Sequence, residues 1–220
     1  MENRKVSKNI SKSTIRRLPL YLKYLRDKKK SGITYIGMPQ IAVDLEKNPM
    51  QVKKDIANVI TKSGKPKVGH LVDDLINDIE SFLGYDQTTY AVLVGVGNLG
   101  TALLSYRGFN DYGLEIIEAF DSDERIVGKK INGVPIFSIK DMELCCKKDH
   151  ILIGIIAVSE QSAQEVCDLL VKSGIKAIWN FSPVYLKVPS DVIIQSENMA
   201  SGLAYLSHRL FGDSDKRDKD

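Results

Sequence analysis

Apolar residues at helical spacing predict an amphipathic helix near the start of the chain. Leu18, Leu22 and Leu25 recur every three or four positions, and arginines and lysines occupy the positions between them. The pattern predicts a helix over residues 14–28, with Ser13 as its N-cap.

Two more helices are predicted directly after the first. Apolar positions within residues 39–45 predict a short second helix, and residues 46–48 predict a turn. Asn48 followed by Pro49 is a helix-start signal, so we expect the third helix over residues 49–62. Two helices joined by a short turn, with lysines on the second, are typical of a helix-turn-helix.

The segment after the third helix is punctuated by glycine and proline. Residues 63–70 cannot continue a helix and predict a tight hairpin that carries Lys65 and Lys67. A hairpin that follows a recognition helix is a wing. An amphipathic helix is predicted over residues 71–83, and residues 84–89 are the expected domain boundary.

The rest of the chain alternates short apolar runs with helical patterns, which favours a parallel sheet covered by helices. An amphipathic helix is expected at the end of this region, over residues 198–211. We expect strands at residues 90–94, 114–120, 134–137, 151–157, 176–181 and 192–194, and helices at 98–106, 138–146 and 160–173.

A glycine-rich segment follows the first of these strands. Gly95, Gly97 and Gly100 have the spacing of a dinucleotide-binding turn between a strand and a helix, in which a diphosphate approaches the backbone and the helix N-terminus. The next strand ends at Asp121, where such a site needs an acid for the ribose hydroxyls. This acid favours NAD(H) over NADP(H).

Charge divides the chain into a basic and an acidic part. Residues 1–70 carry 17 Lys and Arg against 5 Asp and Glu, a net charge of +12, whereas residues 71–220 have a net charge of −9. Basic residues interleaved with a periodic core indicate a nucleic-acid surface, while residues 1–12 resemble a flexible tail. We find no apolar run long enough to span a bilayer and no signal peptide, and expect a cytoplasmic protein.

Candidate catalytic and metal-binding groups are scarce. The three cysteines, Cys145, Cys146 and Cys167, have no metal-ligand spacing, and buried thiols are expected. None of the three histidines occupies a loop expected to face a nicotinamide. We therefore predict no catalytic residues, no metal site and no enzymatic activity.

Several segments together resemble the Rex family of redox-sensing transcriptional repressors, in order and over residues 10–211. They are RLPLY (17–21), VKKDI (52–56), VGVGNLGTAL (94–103), AFD (119–121), GVPI (133–136), IIAV (155–158) and NFSPV (180–184).

This resemblance implies an α/β protein that forms a homodimer with an N-terminal winged helix-turn-helix domain and a C-terminal Rossmann domain. A terminal helix is swapped between subunits. Family members bind palindromic DNA operators when NAD⁺ dominates and release them when NADH binds. The implied domains are residues 1–86 (winged helix), 87–195 (Rossmann, NAD(H)-binding), 196–213 (swapped helix) and 214–220 (tail).

The resemblance also implies two sets of site residues. Tyr106 and Arg17 are the expected points at which a change at the nicotinamide is sensed. The expected NAD(H)-binding residues are Gly95, Val96, Gly97, Asn98, Leu99, Gly100, Asp121, Ala157, Val158 and Tyr106. The expected DNA-binding residues are Arg16, Arg17, Gln51, Lys53, Lys54, Asn58, Lys65 and Lys67.

The chain departs from the family pattern mainly in its DNA-binding half. Lys53 and Lys54 replace two arginines, and lysine cannot reproduce a bidentate arginine contact. The wing pattern Gly-Lys-x-Gly-x-Gly-Tyr becomes GKPKVGH (64–70), and Asn198 replaces an acid that can pair with Arg17. A divergent member or paralogue is therefore expected.

Two alternatives remain open from the sequence. Beside a redox-sensing repressor, the first alternative is a dinucleotide-binding dimer with altered or lost operator recognition, and the second is a nicotinamide-dependent oxidoreductase with a basic appendage. Selection of bound oligonucleotides tests the first alternative, and turnover of small carbonyl or hydroxyl substrates tests the second.

Overall fold

The structure is a computed structural model that describes residues 10–148 and 151–211. It comprises two compact units, Met1–Gln87 and Thr88–Asp220. Most of the expected N-terminal tail and the whole C-terminal tail at 214–220 lie outside the described residues. Among the described residues, no helix combines the length and apolar character needed to cross a membrane.

The first unit contains four helices and a two-stranded antiparallel sheet. Its core is formed by buried side chains from all four helices, among them Leu22, Ile41, Ile56 and Ile79. The elements are α1 (Lys12–Lys30), β1 (Tyr35–Ile36), α2 (Met38–Asp44), α3 (Pro49–Ala57), β2 (His70–Leu71) and α4 (Val72–Leu83). The predicted helix-turn-helix is confirmed as α2 and α3.

Both ends of this helical region differ from the expectation. Helix α1 begins earlier than predicted, because the side chain of Ser11, not Ser13, accepts the Thr14 N–H at 3.2 Å. Lys12 is therefore helical rather than part of a tail.

The predicted C-terminal end of the third helix, at residue 62, was wrong. Helix α3 ends at Ala57 with Asn58 as its C-cap. Val59 then packs into the core, and the backbone N–H and hydroxyl of Thr61 donate to Asp78 at 2.8 and 2.7 Å. These contacts direct the chain away from the helix axis.

The predicted hairpin is a short turn rather than two strands. Lys65 and Gly69 exchange backbone hydrogen bonds of 2.8 and 3.0 Å. The following residues of β2 pair with β1, so the base of this wing is a sheet formed with the segment before α2.

The second unit is a seven-stranded sheet with helices. Its strands are β3 (Thr89–Val94), β4 (Leu114–Asp121), β5 (Lys130–Ile131), β6 (Val134–Ser138), β7 (Ile153–Ile156), β8 (Ala177–Asn180) and β9 (Ile193–Ser196). Its helices are α5 (Asn98–Ser105), α6 (Met142–Lys148), α7 (Glu160–Lys172) and α8 (Met199–Phe211), with 3₁₀ turns at Arg107–Tyr112 and Ile139–Asp141.

The strand order is β5-β6-β4-β3-β7-β8-β9, and every neighbouring pair is parallel except β5 with β6. The six parallel strands thus follow the doubly wound order 3-2-1-4-5-6, the Rossmann arrangement. Strand β3 lies at the point where the order reverses, which is where ligands bind in such sheets. The α/β fold class is confirmed.

Three elements of these units were not predicted. They are the short strands β1 and β5 and the 3₁₀ turn Arg107–Tyr112, and the strand β2 likewise lies where a hairpin end and a helix start were expected. The helix expected at 138–146 begins at Met142, because Ile139–Asp141 forms a 3₁₀ turn that the Ser138 hydroxyl caps.

Candidate functional site

The glycine-rich segment after β3 forms a tight turn against the loop after β7. Gly95 has a φ of +96°, and a Cβ on it would lie 2.6 Å from the carbonyl oxygen of Ala157. A Cβ on Gly100 would collide with the carbonyl oxygen of Gly95. Packing within the unit therefore requires glycine at the first and third positions of the motif.

The middle glycine has a different environment. No described atom lies within 4 Å of the position that a Cβ on Gly97 would occupy. Gly97 is also the N-cap of α5, and no side chain caps this helix end among the described residues. Asn98 and Leu99 are exposed in its first turn. The space beside these free N–H groups is suited to an anion such as a diphosphate.

Asp121 lies next to this turn at the end of β4. One carboxylate oxygen accepts the Val96 N–H at 2.7 Å, and the other accepts the Asp123 N–H at 2.9 Å. These bonds fix the carboxylate beside the glycine-rich turn and leave acceptor positions on each oxygen. The geometry is that expected of an acid that binds ribose hydroxyls.

The loop after β7 completes this edge of the sheet. Ala157 donates its N–H to Val94 at 2.8 Å, and the Val158 carbonyl accepts the Ser182 hydroxyl at 2.7 Å. Both residues are half-buried. The structure thus brings Ala157 and Val158 together with the glycine turn at the switch point of the sheet.

Tyr106 ends α5 and begins a row of aromatic rings that the sequence did not predict. Its ring lies 4.9 Å from Phe109, which lies 5.6 Å from Trp179, and Trp179 lies 4.9 Å from Phe181. The indole N–H of Trp179 donates to Glu197 at 2.9 Å, just before α8. The row therefore connects the end of the glycine-rich helix with the base of the terminal helix.

In the first unit, the carboxylate of Asp55 holds α3 against α1. Asp55 is 2% exposed, so its carboxylate lies in the interior of the unit. It accepts hydrogen bonds from Thr14 Oγ1 (2.9 Å), Tyr21 OH (2.9 Å) and Arg17 Nε and Nη2 (2.7 and 2.8 Å). Arg17 therefore has an internal acidic partner, which the sequence did not reveal.

These bonds shift the pKa values of the cluster. Burial alone would raise the pKa of Asp55, but hydrogen bonds from Arg17, Thr14 and Tyr21 hold that pKa below its ordinary value. Burial and the bond to Asp55 raise the pKa of Tyr21 to about 12. The cluster is thus an ionised carboxylate stabilised by neutral and cationic donors.

The expected DNA-binding residues lie on α1, on α3 and on the wing. Arg16, Lys53, Lys54 and Asn58 are exposed, and Gln51 is half-buried. A groove of about 750 Å³ separates the start of α1 from α3 and is lined by Gln51, Lys53, Lys54 and Asn58 among others.

A second groove of about 660 Å³ lies between α3 and the wing, and Lys53, Lys65 and Lys67 line it. Lys65 donates to the Tyr35 hydroxyl at 3.0 Å. Lys67 has a φ of +61°, in the left-handed region that disfavours a side chain. The grooves thus share a lysine-rich border.

Other cations of this unit are neutralised within it. Lys28, Lys29 and Lys62 form ion pairs of 2.7 to 2.9 Å with aspartates, and Arg26 pairs with Glu80 at 2.8 Å. Within residues 10–148 and 151–211, no carboxylate pairs with Lys53, Lys54, Lys65 or Lys67. Lys12, Lys23, Lys30 and Lys47 have no carboxylate partner among the described residues either, but none of them lines the two grooves. The unpaired positive charge that borders the grooves is therefore carried by α3 and the wing.

The described part of the chain contains no cluster of three or more His, Cys, Asp or Glu residues that could hold a metal ion. Cys145, Cys146 and Cys167 form no disulfide in the described part of the chain. Burial raises the pKa of Cys167 to about 11, which disfavours the reactive thiolate.

Two family models match the chain. Residues 86–184 match the CoA binding domain, and residues 9–57 match the putative DNA-binding protein N-terminus. These matches cover most of the sheet unit and the first three helices of the other unit.

Curated relatives match over nearly the whole chain. The redox-sensing transcriptional repressor Rex of Treponema denticola is 43% identical over 193 residues, 88% of this chain and 91% of the relative. The protein of the same name from Bacteroides thetaiotaomicron is 37% identical over 213 residues, 95% of this chain and 96% of the relative.

Solved structures of the repressor RSP have the same fold. RSP in complex with β-NAD⁺ and operator DNA is 33% identical, with a TM-score of 0.88 and coverage of 96% of each chain. RSP in complex with β-NADH is 32% identical, with a TM-score of 0.84 and coverage of 97% of this chain and 100% of RSP. Identity above 30% over most of the chain, with the same architecture, confirms the resemblance: the chain belongs to the Rex family of redox-sensing transcriptional repressors, which are not enzymes.

Proposed function

We propose that this chain binds palindromic operator DNA as a homodimer, represses transcription when NAD⁺ dominates, and releases DNA when NADH binds. The observation that carries the proposal is the fixed constellation of Gly95, Gly97, Gly100 and Asp121 at the switch point of a Rossmann sheet. RSP, which has the same architecture, has been crystallised with NAD⁺ and operator DNA and with NADH.

The second unit would bind NAD(H) along the carboxyl edge of its sheet. The free N–H groups at the start of α5 would bind the diphosphate, and Asp121 would accept the ribose hydroxyls. Ala157 and Val158 would border the nicotinamide half. When bound, the dinucleotide supplies a ring whose charge differs between its oxidised and reduced forms.

Tyr106 is the proposed sensor of that difference. It is 57% exposed at the end of α5 and begins the aromatic row that leads to Glu197. The nucleotide must bind one conformation of the dimer more tightly than the other. A difference of about 5.5 kcal/mol is needed to change the dimer from almost fully DNA-bound to almost fully DNA-free.

The first unit would bind DNA through α3 and the wing. We assign phosphate contacts to Arg16 and to the four lysines that line the grooves, Lys53, Lys54, Lys65 and Lys67, and base contacts to Gln51 and Asn58. Arg17 donates to Asp55, so we assign it to positioning α3 as well as to the DNA face.

The terminal helix supports the homodimer. Leu203, Leu206 and Leu210 recur at helical spacing along α8 and are 66%, 58% and 71% exposed. An apolar stripe of this kind requires a partner, and we propose that the partner is the second subunit through exchange of this helix.

A repressor acts beside the genome, so we place the protein in the cytoplasm.

The decisive experiment is selection of oligonucleotides by the full-length protein at fixed salt, without nucleotide, with NAD⁺ and with NADH. We expect a palindrome whose binding NADH weakens. Equal binding to all sequences, indifferent to nucleotide, would overturn the proposal and favour a dinucleotide-binding dimer that has lost operator recognition.

A further inference from the structure

Met50 is a large apolar side chain on the exposed face of α3. It is 72% exposed, whereas Val52 and Ile56 on the opposite face of the same helix are fully buried. Met50 therefore contributes little to the core of its own unit. It shares its face with Lys53, Lys54 and Ala57, all of them exposed.

The backbone at Met50 is held firmly. Pro49 occupies the first helical position, and the side chain of Asn48 accepts the Met50 N–H at 2.9 Å and the Gln51 N–H at 3.2 Å. In helix-turn-helix proteins the N-terminal residues of the recognition helix meet the base edges. The backbone of Met50 is thus fixed at that position, whereas its side chain is flexible and can adapt to a ligand.

Met50 also borders both grooves of the first unit. It lines the groove toward α1 and the groove toward the wing, and Lys53 is the one other residue in the described part of the chain that lines both. An apolar side chain between lysines does not fit an apolar protein partner, because the lysines would lose their hydration. It fits a polyanion that also carries an apolar group.

Double-stranded DNA has that chemistry. Its phosphates complement the lysines, and the 5-methyl group of thymine is the apolar feature of the major groove. Gln51, the next residue, has the amide that pairs with adenine N6 and N7. The two side chains therefore suit neighbouring A·T base pairs.

We infer that Met50 contacts a thymine methyl group in each operator half-site and thereby helps to determine the operator sequence. The inference rests on the proposed function, since it requires that α3 binds DNA. It concerns a residue outside the charged and polar set assigned to DNA above.

The test replaces thymines of the selected operator by deoxyuridine, one position of each half-site at a time, and measures DNA affinity at fixed salt. Deoxyuridine pairs like thymine but lacks the methyl group. For the unaltered protein we expect, at one thymine position, an affinity loss of roughly fourfold for each buried methyl group removed, and so about fifteenfold when that position is altered in both half-sites. Met50→Ala should lose sensitivity at that position and no other, and Met50→Leu should retain part of it.

Two controls separate this role from others. Val43→Ala removes a side chain of similar exposure (70%) from α2, outside both grooves, and should leave the deoxyuridine profile unchanged. Lys53→Ala should weaken binding to all sequences and keep the methyl sensitivity.

The outcomes distinguish the inference from the proposed function. If the unaltered protein selects an operator but Met50→Ala keeps the same sensitivity to deoxyuridine, the inference is overturned and the proposed function stands. If the unaltered protein selects no sequence, the proposed function fails and the inference fails with it.

Discussion

Asp55 is the residue on which the geometry of the DNA-binding unit depends. One buried carboxylate accepts hydrogen bonds from three residues of α1 and thereby fixes the rotation of α3 about its axis. A buried charge is tolerated only when its lone pairs are satisfied, and four donated hydrogen bonds satisfy them here. Asp55 is therefore a positioning residue for the face that carries Met50 and Lys53.

We expect Asp55→Asn to destabilise the packing of α3 on α1 by about 3 kcal/mol, because Arg17 loses its ionic partner inside the unit. Amide hydrogen exchange in peptides of α1 and α3 of the full chain measures this. Asp73→Asn, which removes the exposed pair with Lys29, should cost less than about 1 kcal/mol.

The same substitution should change the pH dependence of stability. The pKa of Asp55 is lowered in the folded state, so its stabilising contribution is present above the ordinary value of 3.8 and is lost as pH falls below it. Amide hydrogen exchange in α1 and α3 should therefore depend less on acidic pH in Asp55→Asn than in the unaltered protein. An unchanged acid profile would mean that the ion pair is not formed in solution.

Asp121 gives the second residue-scale prediction. Asp121→Ala should weaken NADH binding about tenfold or more and reduce the preference for NADH over NADPH, because charge-assisted bonds to the ribose are lost. Trp179 is the single tryptophan, so quenching of its fluorescence reports binding.

The control for Asp121 follows from its contact with the glycine turn. Asp121→Asn keeps an oxygen that can accept the Val96 N–H but removes the charge. Asp121→Asn should therefore preserve the glycine-rich turn and still reduce the preference for NADH over NADPH. If both variants discriminate as the unaltered protein does, Asp121 is not in the ribose site.

At the scale of elements, the sequence predicted those helices and turns whose formation depends on residues close together in the chain. The spacing of Leu18, Leu22 and Leu25 predicted α1, because the three side chains must face one core. The spacing of the glycines predicted the turn between β3 and α5, because the backbone packs too closely there for a Cβ. The end of α3 was missed because Val59 and Ile60 continue the apolar period but pack after a change of direction.

Contacts between distant residues could not be predicted in this way. Asp55 is separated by 34 to 41 positions from its partners, and no local pattern of residues points to them. The row from Tyr106 to Trp179 is likewise formed only when the sheet assembles. Ala157 and Val158 were placed by family resemblance, not by any local pattern.

The terminal helix α8 provides an element-scale prediction. Leu206→Glu should convert the dimer to a monomer, because exchange of α8 would bury an unpaired carboxylate at a cost of several kcal/mol. Light scattering of the full-length protein measures the mass. Leu144→Glu, at a 75% exposed position of α6, should leave the dimer intact. A monomeric unaltered protein would contradict the proposed assembly.

At the scale of the whole molecule, charge separates the two functions. Residues 1–87 have a net charge of +7 and residues 88–220 a net charge of −4, so the nucleotide-binding part repels DNA while the first unit attracts it. Since many cations of the first unit are paired internally, affinity should depend on the few lysines of α3 and the wing rather than on the net charge.

This argument predicts the salt dependence of operator binding. In the proposed complex, Arg16 and the four lysines of α3 and the wing contact phosphate in each of two subunits, which gives a slope of log K against log salt of about −9. Lys67→Gly should reduce its magnitude by about two for the dimer. It should also stabilise the wing by about 1 kcal/mol, because glycine accepts the φ of +61° without strain. Lys29→Ala, which removes a lysine already paired with Asp73, should leave the slope unchanged. If Lys67→Gly stabilises the wing and leaves the slope unchanged, Lys67 does not contact phosphate, and its strained backbone has no role in binding the operator.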